Sequence, residues 1–115
     1  MTSRPDPIQK VLGPGGPLSR ALKDFEFRSS QIQMAGMIMR ALEDQVPAIV
    51  EAGTGTGKTL AYLVPLALNG KKTVISTATK TLQEQIFQKD IPLLSEAACL
   101  EIDAVLMKGR KNYLC

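Results

Sequence analysis

The run Ala52-Gly53-Thr54-Gly55-Thr56-Gly57-Lys58-Thr59 constrains this chain more than any other stretch. Glycines at 53, 55 and 57 free the backbone for conformations that a Cβ hinders, so successive N–H groups can point inward. A lysine and a threonine close the run where an apolar pattern of helical spacing begins. Lysine at a helix start opposes the helix dipole unless an anion is present. Glycine-rich backbone, lysine and helix N-terminus together read as a phosphate-binding loop. Gly53, Thr54, Gly55, Thr56 and Gly57 would wrap the phosphate oxygens. Lys58 would reach the β- and γ-phosphates, and Thr59 would place its hydroxyl on Mg²⁺. The usual pattern opens on glycine, whereas this chain has Ala52; the rest of the pattern is intact. The ligand so implied is a nucleoside triphosphate, ATP with Mg²⁺.

The flanking sequence reads as alternating elements. Ala48–Glu51, Thr73–Thr77 and Asp103–Met107 are short β-branched or apolar runs and read as strands. Leu18–Phe25, a segment capped by Ser29 or Ser30 with its apolar stripe at Met34, Ala35, Ile38, Met39 and Leu42, Lys58–Leu68 and Lys80–Gln88 read as helices. Pro65 should kink its helix, and Asn69-Gly70 should end it. Another helical turn fits the stretch from Pro92 to Ala98. Alternation of this kind predicts an α/β fold, a partial, truncated RecA-like P-loop NTPase domain with parallel strands and right-handed crossovers. The prolines and glycines of Met1–Pro17 predict an irregular lead-in, 1–17, before a motor-domain portion, 18–115.

A chain of 115 residues is one small domain. Its net charge of +3 permits nucleic-acid contact without arguing for it. It has no histidine, which excludes imidazole catalysis and His metal sites within the chain. Cys99 and Cys115 are too far apart for a C-x-x-C motif, and Cys99 reads as a partly buried structural residue. No apolar run has membrane-span length, and the N-terminus lacks a signal-peptide pattern; the expectation is a soluble, cytoplasmic protein. Hydrolysis needs an acid for Mg²⁺ at the end of an apolar strand. Glu51 leads straight into the phosphate loop, and Asp90 and Asp103 do not follow such a strand, so none satisfies the need.

Several segments carry a resemblance. Glu51–Thr59 looks like motif I of the DinG/XPD-type iron–sulfur helicases of superfamily 2, within which the bacterial YoaA subgroup is a likeness. Ser76–Gln85 resembles their motif Ia. Arg28–Met34 resembles the upstream Gln element, and Lys108–Cys115 the segment that delivers the first cluster-binding cysteine. The likeness runs from about Leu18 to the last residue. It implies that Gln31 reads the adenine edge, since an amide offers both donor and acceptor. It also implies that Thr77, Thr79 and Gln83 contact the backbone of single-stranded DNA, with Lys108, Arg110 and Lys111 adding phosphate contacts. Cys115 would be the first thiolate ligand of a 4Fe–4S cluster, which needs four cysteines. The implied function is an ATP-dependent DNA helicase, here as an N-terminal portion with little activity and no cluster of its own. The alternatives are another P-loop NTPase and a non-catalytic nucleotide- or DNA-binding module.

Overall fold

The computed structural model describes residues 6–21, 28–53 and 57–109. The helices are α1 (Pro7–Leu12), α2 (Pro17–Ala21), α3 (Ser29–Asp44), α4 (Lys58–Asn69), α5 (Lys80–Gln85) and α6 (Ile91–Ala97), with a π-helical turn, Ile86–Asp90, joining α5 to α6.

The expected α/β alternation is overturned. Among the described residues there is no strand, and Ala48–Glu51, Thr73–Thr77 and Asp103–Met107 lie outside any regular element. The physical reason is that a strand exists only as a pair. Its N–H and C=O groups need a neighbouring ladder, which β-branched composition favours but does not supply. The segments remain solvated: Ile49 is 99% exposed, Val74 92% and Val105 85%. The Cα radius of gyration is 14.9 Å, above the roughly 13 Å expected of a compact chain this long.

The lead-in is not irregular throughout, which corrects a second expectation. Asp6 caps α1, its carboxylate accepting from the Ile8 N–H at 3.0 Å. Pro7 falls at the start of the helix, where its fixed φ fits and its missing N–H costs nothing. A proline that breaks a helix interior opens one here. Ile8, Val11 and Leu12 are buried and join Leu18, Ala35, Leu63, Val64, Ile86 and Leu94 in one core. The chain turns out of α1 at Gly13–Gly16, and the Ser19 hydroxyl donates to the Gly16 carbonyl.

The helical spacing read from sequence places α3 and α4 well, and their facing sides pack together. The N-cap of α3 is Arg28, not a serine, and no side chain caps it. α4 runs through the buried Pro65 as one element and ends at Gly70, whose φ of 74° is left-handed. The helix expected at Lys80–Gln88 is longer: α5, the π turn and α6 follow without a break from Lys80 to Ala97. Pro92 sits just after the π turn, at the start of α6. Cys99 is exposed with a φ of 53°, so it is a turn residue and not a partly buried one. The predicted helix at Leu18–Phe25 is seen as α2; residues 22–25 lie outside the described residues.

Leu12 has no exposed surface. Leu12→Ala should therefore lower stability by about 2–5 kcal/mol in urea unfolding, through lost burial and a cavity. An unpacked lead-in would give no change.

Candidate functional site

The site starts at Gly57, the N-cap of α4, with a φ of 80°. Its carbonyl accepts the Ala61 N–H at 3.1 Å, the first bond of the helix. The same carbonyl accepts Nε2 of Gln31, also at 3.1 Å, across a sequence separation of 26. Gln31 is 4% exposed, so it is a buried side chain and not a surface polar residue at a helix start. Its Oε1 is buried without a partner. A buried acceptor left empty costs about 1–3 kcal/mol unless a donor arrives. The Gln31 amide lies where a Cβ on residue 57 would be, so glycine is required by both space and backbone.

Lys58 and Thr59 form the first turn of α4, Lys58 exposed and Thr59 half-buried. One turn on, the Tyr62 side chain hydrogen-bonds that of Thr59. Burial pushes the Tyr62 phenol above its usual range; the Thr59 bond opposes this and the nearby Asp90 carboxylate adds to it. Asp90 closes the π turn, which packs against α4. Burial raises its carboxyl above the usual range, offset in part by a hydrogen bond from Gln85 and the charge of Lys89. Its Oδ2 is buried with no partner.

The residues expected to meet DNA gather at α5. The Thr77 hydroxyl donates to the Thr79 carbonyl at 2.9 Å. Thr79 is the N-cap of α5, its hydroxyl accepting the Leu82 N–H at 3.2 Å. Gln83 donates to the Met107 carbonyl at 2.6 Å. Lys108 pairs with Glu84 at 2.8 Å. That hydrogen bond, then the charge of Lys108, holds the Glu84 carboxyl below its usual range. Thr54, Gly55, Thr56, Arg110 and Cys115 lie outside the described residues.

The structure sets Gln31 against Gly57, which Lys58 and Thr59 follow in the chain. Sequence reasoning missed Tyr62 and Asp90. The three-residue spacing of Thr59 and Tyr62 in a helix could have signalled the first. Nothing in sequence could have placed Asp90 beside them. Mg²⁺ fits the donor set, because it commonly takes few protein ligands and leaves other positions to phosphates and water. Among the described residues no group of three acidic, His or Cys side chains is needed or present. A 4Fe–4S cluster does not fit this chain by itself, which has two cysteines where four are required.

Around the glycine-rich run the structure thus sets an upstream glutamine bonded to the start of α4 and a threonine-capped helix downstream. The chain belongs to the DEAD/DEAH box helicase family, whose model matches residues 30–113. It is 44% identical over 108 residues to the ATP-dependent DNA helicase YoaA of Haemophilus influenzae, covering 94% of this chain and 17% of that protein. It is 47% identical to YoaA of Escherichia coli strain K12, covering 89% of this chain and 16% of the relative. It is 36% identical to the 3'-5' exonuclease DinG of Bacillus subtilis, covering 85% and 11%. The chain thus spans about a sixth of the length of the YoaA relatives. No solved structure matches it.

Gly57→Ala should lower stability by about 1–2 kcal/mol, the cost of a left-handed backbone with a Cβ. Urea unfolding alone and with Gln31→Ala would show coupling, because the Gly57 substitution already displaces the amide. Additive losses would mean that the two residues do not meet.

Proposed function

We propose that this chain supplies the ATP-binding part of a DNA helicase. The observation that carries the proposal is the Gly57 carbonyl, which joins the start of α4 to the buried amide of Gln31. Residues 53–57 wrap the phosphates with backbone N–H groups, Lys58 offsets their charge, and the α4 dipole adds to it. Thr59 would hold Mg²⁺, which when bound bridges the β- and γ-phosphates and offsets their charge. The empty Gln31 Oε1 suits the exocyclic amine of adenine as a donor.

The DNA half of the reading rests on α5. Thr77, Thr79, Gln83 and Lys108 lie along it, with Arg110 a further phosphate contact by resemblance. Single-stranded DNA is the proposed partner, and coupled translocation and duplex unwinding belong to the full-length protein. There, Cys115 would be the first thiolate of a 4Fe–4S cluster completed by cysteines outside these residues. The proposed place of action is the cytoplasm. Among the described residues no helix is long and apolar enough to cross a membrane.

Lys58→Ala should weaken Mg-ATP binding about ten- to a hundredfold by calorimetry, the worth of a charge-assisted contact. Equal affinity in wild type and variant would remove the phosphate-loop reading.

Lys108→Ala should weaken single-stranded DNA binding and reduce the magnitude of its salt slope by about one phosphate contact. Glu84→Gln should do the opposite for affinity, since it removes the carboxylate that competes for Lys108. Fluorescence anisotropy across a salt series reads both, and no response to either would take Lys108 out of the DNA contact.

A further inference from the structure

The exposure of residues 101–109 alternates at every step. Glu101, Asp103, Val105 and Met107 are exposed, whereas Ile102, Ala104, Leu106 and Lys108 are half-buried. A period of two marks extended chain with one face packed. Ile102 packs against the core from that face. Lys108 belongs to it too, and its side chain is only 26% exposed. This lysine is turned to the protein more than to solvent.

Two contacts, at neighbouring positions on both sides, hold the end of the segment to α5. Gln83 Nε2 donates to the Met107 carbonyl at 2.6 Å, and Lys108 Nζ donates to Glu84 Oε1 at 2.8 Å. Each contact spans 24 residues of sequence. Together they form a clasp between residues 83–84 and residues 107–108. Gln83 and Lys108, its two donors, are also two of the side chains that the DNA reading assigns to phosphate. An ammonium has three donors and could bond a carboxylate and a phosphate at once. A phosphate at Lys108 would then stand beside the Glu84 carboxylate, and like charges repel. The exposed ion pair is weak, whereas a phosphate contact carries the release of counterions with it. The phosphate therefore displaces the carboxylate.

We propose that single-stranded DNA opens this clasp: phosphate takes Lys108 from Glu84, Gln83 releases the Met107 carbonyl, and residues 106–108 leave α5. Opening uncovers the half-buried Leu106 and frees the chain that runs on to residues 110–115. Linkage makes the effect reciprocal, so whatever loosens the clasp favours DNA by the same factor. The inference rests on the reading of Lys108 as a phosphate contact.

The test reads opening and binding separately in the 115-residue chain, with Cys99→Ser and Cys115→Ser removing its own thiols. Leu106→Cys puts a thiol on the packed face, and Val105→Cys puts one on the open face as the control. The rate of maleimide modification is measured with and without saturating oligothymidine, and binding is measured by fluorescence anisotropy. DNA should speed modification in Leu106→Cys about two- to fivefold, the range an exposed ion pair sets, and leave Val105→Cys unchanged. Glu84→Gln should speed modification in Leu106→Cys over the same range without DNA. It should also raise DNA affinity, and that gain should vanish when Lys108→Ala is added. If DNA leaves modification in Leu106→Cys unchanged or slows it, the clasp is overturned; a loss of binding in Lys108→Ala then still supports the Lys108 contact. A Glu84→Gln gain that survives Lys108→Ala marks general charge repulsion and also overturns the clasp. No binding in wild type, or binding that Lys108→Ala does not weaken, overturns the Lys108 reading and this inference with it. Should Leu106→Cys fail to fold by circular dichroism, Ala104→Cys on the same face takes its place and decides by the same rates.

Discussion

The site depends on one carbonyl. Gly57 O takes both the first intrahelical N–H of α4 and the amide of Gln31. The first bond fixes where the helix begins. The second ties that beginning to α3, which is separated from it in sequence by the loop and by the segment at Ala48–Glu51. A backbone carbonyl has two lone pairs, so both bonds can be made at once. The left-handed φ of Gly57 aims the carbonyl so that they can. Remove the glycine and the helix start, the glutamine and the lysine after it lose their common reference.

Around that point the packing is helical. α1, α3, α4 and α6 meet over a core in which Leu12, Val64 and Leu94 are fully buried. Full burial of such side chains is worth about 1.5–3 kcal/mol each against exposure. The continuous run from α5 through the π turn to α6 brings two kinds of chemistry onto one piece of chain. Its first end holds the threonine cap and Gln83, and its middle presents Ile86 to the core and Asp90 to α4. A π turn inserts an extra residue into the helical repeat, which changes the face that later side chains present.

The glycine-rich run stood out in sequence as a motif because the chemistry it implies is local. Glycines, lysine and threonine act through the backbone and through atoms within one turn of each other. The helices α3 and α4 were legible from their spacing, and Asn69-Gly70 marked the end of α4 for the same kind of reason. The strands were misread because strand pairing is not local: Val74 and Val105 have the residue type for a ladder and no neighbour to make one. α1 was misread because proline carries opposite meanings inside a helix and at its start, and only Asp6 before Pro7 resolves which applies. Cys99 was read as partly buried from its type, whereas it stands exposed in the turn after α6.

By itself the sequence determined the phosphate-loop motif, the order of the main helices and the likeness to a helicase family. Those follow from short-range spacing and from residue identity. The tertiary structure alone decided that Gln31 is buried against Gly57 and that Lys108 is held by Glu84. Each of those joins positions far apart in the chain. The reason is that a buried polar group must find its partner wherever packing puts one, and packing depends on all the elements together.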